Sequence, residues 1–169
     1  FIIQTNPIEN PSYLLNQSNY EVELYKDFLV TKQLLSTIKT TNKIINVTGS
    51  VFAKENDFQN CLLLNTDKNV IEALNGNIFM LIGNKLITPA LSEGCLNGII
   101  RKQILKIAKK IENIEVIEGV ISPFDLQKAD ELFITNVIVG IQPITKYRKK
   151  EFTSNLAIEL NKKLNELIQ

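Results

Sequence analysis

The segment best suited to bind a ligand is a turn that leads directly into a helix, at residues 91–101. From Ile100 onward, apolar residues recur at helical spacing, at Ile100, Ile104, Ile107, Ala108 and Ile111. The opposite face is expected to carry Arg101, Lys102, Lys106, Lys109 and Lys110. A helix start exposes unpaired N–H groups and the positive end of the helix dipole, and Gly98 has no Cβ to keep a ligand away. The spacing therefore predicts an anion site, suited to phosphate, at residues 98–100.

Composition narrows the chemistry that such a site could perform. The 169 residues include no histidine, which excludes Ser-His-Asp triads, His-based acid–base catalysis and most transition-metal sites. We therefore expect no metal, and a catalytic base must be Lys, Asp, Glu, Tyr or Cys. The 19 basic and 18 acidic residues balance, so we expect neither nucleic acid nor a membrane surface as a partner.

The remaining composition indicates an ordinary globular chain. Hydrophobic residues make up 44%, which is enough for a core. No apolar run approaches the roughly 18 residues that a membrane-spanning helix needs. The two cysteines, Cys61 and Cys95, follow no spacing pattern, so we expect free thiols in a reducing compartment and a cytoplasmic protein.

Periodicity predicts one α+β unit without an internal linker. We expect strands at residues 21–25, 61–65, 70–73, 77–82, 85–88, 115–121, 131–135 and 141–147. We expect helices at residues 41–52, 98–111 and 153–168, the last with Leu156, Leu160, Leu164 and Leu167 on one face, and a short helix capped by Ser122. The composition of Gly83-Asn84 predicts a two-residue hairpin loop.

Four pieces of the sequence occur in an order and at a spacing similar to those of a known family. They are residues 38–42, residues 70–79, residues 88–91 running into 94–101, and residues 129–136. Together they resemble the large domain of the class IV, or fold-type IV, pyridoxal-phosphate enzymes. That family includes branched-chain aminotransferases, D-amino-acid aminotransferases and 4-amino-4-deoxychorismate lyases. The resemblance implies a mixed, barrel-like sheet with flanking helices, and pyridoxal 5'-phosphate as cofactor.

The resemblance assigns a role to each site residue. Lys39 resembles the lysine that holds the cofactor covalently and then moves protons at the substrate Cα. Glu72 resembles the carboxylate that pairs with the protonated pyridine nitrogen. Leu96 resembles the residue that packs on one face of the ring. The phosphate is expected at Gly98, Ile99 and Ile100, and beside the second loop formed by Asn136 and Val137.

Three departures from the transaminase pattern favour the lyase branch of the family. Many transaminases carry Thr where Ile100 stands, and a further Thr where Val137 stands. Lys43 stands where branched-chain enzymes often carry a Tyr. The leading expectation is therefore a 4-amino-4-deoxychorismate lyase, which releases 4-aminobenzoate and pyruvate. A branched-chain or D-amino-acid transaminase is the alternative.

The resemblance also implies what accompanies this chain. Family members are generally homodimers that act on small amino-acid-like substrates, and a smaller N-terminal domain supplies an Arg for the cofactor phosphate. The chain begins with Phe1, and no part of that domain aligns to it, so residues 1–169 are expected to be the C-terminal cofactor-binding domain alone. We expect such a fragment to bind the cofactor weakly. A catalytically inactive fragment and a simple anion-binding module are the remaining alternatives.

Overall fold

A mixed sheet forms the centre of the molecule. The computed structural model describes residues 2–8 and 10–168. Within these residues the strands are β1 (Glu21–Val30), β2 (Asn60–Asn65), β3 (Val70–Ala73), β4 (Gly76–Ile82), β5 (Lys85–Pro89), β6 (Glu115–Gly119), β7 (Glu131–Asn136), β8 (Gly140–Ile144), β9 (Lys146–Tyr147) and β10 (Lys150–Glu151). The helices are α1 (Ile44–Glu55), α2 (Ile99–Ala108) and α3 (Asn155–Asn165), and short 3₁₀ helices occupy Leu34–Thr37, Leu91–Glu93 and Asp125–Gln127. The α+β class predicted from the sequence is confirmed.

The strand β4 organises the sheet. One path runs in the order β10-β9-β1-β2-β3-β4-β5-β6, and β7 joins it by pairing with both β4 and β8. On one edge, β4 pairs with β3 through Asn77 and with β5 through Met80, while its other edge pairs with β7 along most of its length. Strands β3 and β7 therefore flank the Asn77 end of β4, and β5 pairs with its other end.

Apolar residues from both faces of the sheet are buried. On one face, Ile78 and Met80 pack with Leu132 and Ile134. On the other face, Phe79 and Phe133 stack with their ring centroids 5.2 Å apart, in a cluster with residues of α2 and α3. Helix α1 contributes Ala53 to a third cluster, over β1 and β2. Alternate residues of β4 and β7 thus face opposite cores, as expected for central strands.

Most predicted strands and the hairpin are confirmed with shifts of one or two residues, but β1 extends five residues beyond its predicted end, to Val30, and β10 was not predicted. The helices differ as well. Helix α1 begins at Ile44, three residues later than predicted, because Lys43 lies at its N-cap and the preceding residues form a loop. Helix α3 covers Asn155–Asn165, so Leu167, predicted on its buried face, lies beyond its end and is 60% exposed. The predicted strand at 141–147 is two strands interrupted at Thr145, which instead bonds to Tyr20 through its N–H.

The prediction for Arg101 is wrong. The sequence pattern placed Arg101 on the exposed basic face of α2, but its side chain is 2% exposed. Its Nη2 donates to the Pro89 carbonyl at 2.8 Å and to Glu118 Oε2 at 2.7 Å. Leu105 and Ala108, four and seven residues later, are also buried, so Arg101 lies on the edge of the apolar stripe. The arginine ties the first turn of α2 to the ends of β5 and β6.

Two further features complete the description. Cys61 and Cys95 are buried free thiols, as predicted. Among the helices of residues 2–8 and 10–168, none combines the length and the apolarity that crossing a membrane would require.

Candidate active site

A cavity of about 650 Å³ opens at the Asn77 end of β4, which β3 and β7 flank. Its walls come from the loop before α1, the turn before α2 and the turn between β7 and β8. The structure brings together every site residue predicted from the sequence, since all of them line this cavity: Lys39, Glu72, Leu96, Gly98, Ile99, Ile100, Asn136 and Val137. Residues almost 100 positions apart in sequence are therefore neighbours here.

The floor of the cavity is a polar row that crosses three strands. Glu72 of β3 pairs with Asn77 of β4, and Asn77 pairs with Thr135 of β7. Directly opposite residues of antiparallel strands present their side chains on the same face, so the three polar groups lie side by side. All three are buried. The strand register, rather than any local motif, creates this row.

Glu72 is the buried carboxylate of the cavity. It is 8% exposed, and its Oε2 accepts the Leu96 N–H at 2.9 Å. Burial raises the pKa of Glu72, and the Leu96 N–H and the positive charges of Lys43 and Lys39 act in the opposite direction. The net pKa shift is upward, because these partners only partly replace the lost hydration.

Two amines approach from the loop between residues 37 and 43. Lys39 is exposed and lines the cavity, and Lys43, at the N-cap of α1, is half-buried and lines it as well. Because helix α1 starts only at Ile44, both lysines sit on irregular backbone in front of the polar floor. Among the described residues, the charged groups lining the cavity are these two amines and the Glu72 carboxylate.

The start of α2 is held against the polar floor by Asn77. The Asn77 Nδ2 donates to the Leu96 carbonyl at 2.7 Å, and a Cβ on Gly98 would collide with the Asn77 Oδ1. Gly98 is therefore required for this close approach, although its backbone angles are ordinary. Gly98 is also the N-cap of α2 and brings no side-chain cap, so the first N–H groups of the helix face the cavity mouth unpaired by a cap. The Ile100 side chain is buried in the core, which leaves its backbone to serve a ligand.

The remaining wall is the turn between β7 and β8. Asn136 Oδ1 accepts the N–H groups of Ile138 and Val139 at 2.9 and 3.0 Å, so this oxygen is occupied by its own turn. The Tyr13 hydroxyl donates to the Val137 carbonyl at 3.2 Å, which links the turn to the N-terminal segment of the chain. Val137 and Ile138 are 52% and 82% exposed, which gives the mouth of the cavity an apolar lip.

Comparison with known proteins shows the family of this chain. A family model described as "Amino-transferase class IV" matches residues 1–147. The chain belongs to the class IV aminotransferase family. Among curated relatives, one named "Probable branched-chain-amino-acid aminotransferase", from Thermotoga maritima, is 36% identical over 112 residues, which cover 65% of this chain and 41% of the relative. The chain thus spans less than half the length of that relative.

Solved structures share the fold. A branched-chain aminotransferase from Thermoproteus uzoniensis, with norvaline, superimposes with a TM-score of 0.84 at 22% identity, covering 93% of this chain and 53% of that one. A 4-amino-4-deoxychorismate lyase from Pseudomonas aeruginosa superimposes with a TM-score of 0.80 at 22% identity, covering 89% and 56%. At these identities the likeness establishes the fold, and it does not separate the two activities.

Class IV aminotransferases in general depend on pyridoxal 5'-phosphate, and the residues of this cavity fit that group. The start of α2 offers free N–H groups to a phosphate beside a glycine. The Thr135 hydroxyl is buried, and no hydrogen-bond partner for it occurs among residues 2–8 and 10–168. An oxygen-rich ligand in the cavity that Thr135 lines would give this hydroxyl a partner. An amine and a desolvated carboxylate complete the set of groups that the cofactor needs.

Sequence reasoning missed two residues of the site. Asn77 and Thr135 belong to the motifs that carry the family resemblance, but they were given no role. The signal available for Asn77 was a polar residue inside an otherwise apolar strand, where a buried amide needs a partner. The signal for Thr135 was weaker, because its pairing with Asn77 of β4 becomes known only with the strand register.

Proposed function

We propose that the protein binds pyridoxal 5'-phosphate in this cavity and transfers the amino group of an apolar amino acid. The observation that carries the proposal is that an accessible lysine, a buried carboxylate and an uncapped helix start line one cavity. The family membership supports the same cofactor. Because the chain spans less than half of its curated relative, the activity belongs to the intact protein.

Each site residue then has a task. Lys39 would hold the cofactor covalently, Glu72 would face its pyridine nitrogen, and Leu96 would cover one face of the ring. The phosphate would lie against Gly98, Ile99 and Ile100 and be held by the backbone N–H groups of Ile99 and Ile100, since the Gly98 N–H donates to the Leu96 carbonyl at 2.9 Å. Asn136 and Val137 would lie on its other side. When bound, pyridoxal phosphate would supply a ring that stabilises negative charge developing at the substrate Cα.

Lys39 would act as the proton carrier. Its side chain is exposed to the cavity and sits on a loop, so the amine is free to reach a substrate Cα, remove its proton and return it at another position. Glu72 would keep a proton on the nitrogen that it faces, because a buried carboxylate gains most from a positively charged partner. The positive charges of Lys43 and Lys39 help Glu72 to remain ionised.

The apolar lip supports an apolar substrate. Ile99, Val137 and Ile138 are 62%, 52% and 82% exposed, and all three line the same cavity, so they give its mouth an exposed apolar surface. A branched aliphatic side chain would bury against them and exclude water. The name of the Thermotoga maritima relative points to the same substrate class.

The lyase expected from the sequence remains a second candidate. It is favoured by Ile100 and Val137, which leave two family hydroxyl positions apolar, and by Lys43, which adds a cation to the cavity. A cation there would suit a substrate that carries an additional carboxylate.

One substrate panel tests both candidates. The intact protein, loaded with cofactor, is given branched-chain L-amino acids, D-alanine and aminodeoxychorismate, and keto acid and 4-aminobenzoate are quantified. We expect keto acid from the branched-chain substrates with a keto-acid acceptor present. Release of 4-aminobenzoate with pyruvate would assign the lyase instead, and no turnover of any member would contradict the proposal.

We also propose that the intact protein is a homodimer, as family members generally are. Light scattering of the intact protein should give twice its subunit mass.

A further inference from the structure

A second buried carboxylate, Glu93, lies at the opposite end of the turn that carries Leu96 and Gly98. It is 7% exposed, and its Oε1 accepts Lys32 Nζ at 3.0 Å. Its Oε2 accepts Asn65 Nδ2 and Asn69 Nδ2, each at 2.9 Å. Both carboxylate oxygens are therefore bonded, which is the condition under which a charge is tolerated in the interior.

The donors to Glu93 are themselves fixed by the sheet. Asn65, at the end of β2, accepts the N–H groups of Asp67 and Asn69 on its Oδ1, at 3.0 and 2.9 Å. That leaves its Nδ2 for Glu93, where it reaches both the side chain and, at 3.0 Å, the backbone carbonyl. Glu93 is thus attached to the β2–β3 turn, which is itself closed by backbone hydrogen bonds between Asn65 and Asn69 and between Lys68 and Asn65.

The same cluster holds the segment that leads to Lys39. Lys32 lies two residues after the end of β1, at the start of that segment, and besides Glu93 it binds Asp67 Oδ2 at 2.7 Å. Further along, the Asn97 N–H donates to the Thr37 carbonyl at 3.0 Å, two residues before Lys39.

Close packing at Gly94 reinforces the joint between the segment of residues 32–39 and the turn before α2. Gly94 adopts φ of 96°, and a Cβ on it would come within 3.2 Å of Ser36 Oγ and 3.4 Å of the Lys32 Cα. The segment of residues 32–39 and the turn before α2 therefore contact each other at Lys32, Ser36 and Thr37.

We propose that Glu93 is a positioning residue that, through Lys32 and the joint just described, sets the distance between the Lys39 amine and the start of α2. The inference rests on the proposed function, because that distance matters only if one ligand spans both ends. An error of about 1 Å in such a placement costs on the order of 10²-fold in rate. Glu93 lies outside the cavity lining, so it acts through the backbone and not by touching the ligand.

Two variants of the intact protein test the joint from each side. Glu93→Gln keeps the shape and removes the charge, and Lys32→Met keeps the side-chain stem and removes the amine. Lys32→Arg should rescue, because it restores a donor to Glu93. Glu159→Gln is the matched control, since Glu159 pairs with Lys163 at 3.7 Å on the exposed side of α3.

Amide hydrogen exchange of the Asn97 N–H, measured without cofactor, is the first readout. We expect exchange about tenfold faster in Glu93→Gln and Lys32→Met, the ratio that losing one net hydrogen bond gives, with the β4 amides unchanged. With cofactor, we expect kcat to fall by about 10²-fold and KM to change much less. The double variant should be no worse than Glu93→Gln alone, because both substitutions break one unit.

The proposal is overturned if folded Glu93→Gln matches Glu159→Gln in Asn97 exchange and in kcat. Should Glu93→Gln fail to fold, Lys32→Met decides, since Lys32 is 29% exposed and its loss is milder. Lys39→Ala separates the two claims: retained visible cofactor absorbance in that variant would refute the proposed function, while Asn97 exchange still decides the positioning of the joint.

Discussion

Glu72 and Glu93 are two buried carboxylates that meet the turn before α2, Glu72 from β3 and Glu93 as part of the turn, and their surroundings are opposite. Their exposures are nearly equal, 8% and 7%. Within the described part of the chain, Glu93 receives three side-chain donors and Glu72 receives a single backbone donor. Their exposed fractions are therefore not what separates them: Glu93 has more hydrogen-bond partners, and Glu72 has more protein packed around it.

The pKa values of the two groups follow from that difference. Burial alone would raise the pKa of Glu93, but hydrogen bonds from Asn69, Lys32 and Asn65 outweigh burial and lower it. Burial raises the pKa of Glu72, and its partners do not compensate. The Glu93 carboxylate has its bonding capacity filled by the protein, whereas the Glu72 carboxylate, with fewer partners, retains capacity for a ligand.

The largest expected effect comes from removing the charge of Glu72, the carboxylate with fewer hydrogen-bond donors. Glu72→Gln in the intact protein should lower kcat by about 10²–10³-fold, as loss of one preorganised electrostatic partner typically does. The cofactor should still be retained through Lys39, because the variant changes the ring environment and not the covalent link. Steady-state kinetics checks the first point, and visible absorbance after gel filtration checks the second.

The same substitution should improve stability, with a defined pH dependence. Because the pKa of Glu72 is raised in the folded chain, its favourable contribution is complete below its unfolded pKa, near 4.5, and declines as the pH rises through the folded value. Gln cannot ionise, so the free energy of unfolding of the variant should increase relative to that of the parent as the pH rises. Urea unfolding at a series of pH values measures this, and a variant less stable at neutral pH would contradict it.

Glu93→Gln should instead lower stability, with the opposite pH dependence. Since the pKa of Glu93 is lowered, its contribution is present above the unfolded pKa and is lost as the pH falls through the folded value. At neutral pH the variant should lose about 1–3 kcal/mol, because buried donors lose a charged acceptor. The loss should shrink in acid. Equal stability changes for the Glu72 and Glu93 variants would remove the contrast between them.

The smallest expected effect concerns the glycine beside the polar floor. Gly98→Ala places a Cβ against Asn77 Oδ1, which costs about 1–3 kcal/mol of crowding, while the stiffer unfolded chain returns about 0.4–1 kcal/mol. We expect a net loss of about 1 kcal/mol and weaker phosphate binding. Gly119→Ala is the control, since its Cβ would meet only Ile117 Cγ2, at 3.4 Å.

The sequence predicted much of this site because its parts are local. Strand alternation, the Gly83-Asn84 hairpin and the helix start at Gly98 are set within a few residues, and the family resemblance joined them. The burial of Arg101 and of Glu93 could not be predicted from the sequence. Whether a charged side chain is buried depends on partners such as Glu118 or Asn65, which lie far away in the sequence. The Glu72, Asn77 and Thr135 row likewise exists only through strand register.

The central claim is that the Lys39 amine holds the cofactor. It is tested most directly by reducing the cofactor-loaded intact protein with borohydride and mapping the modified lysine by peptide mass spectrometry. We predict one phosphopyridoxyl group per chain, on Lys39, and none in Lys39→Ala, with the exposed Lys106→Ala unchanged. Modification of Lys43 or of a lysine outside the cavity, with Lys39 unmodified, would contradict the account.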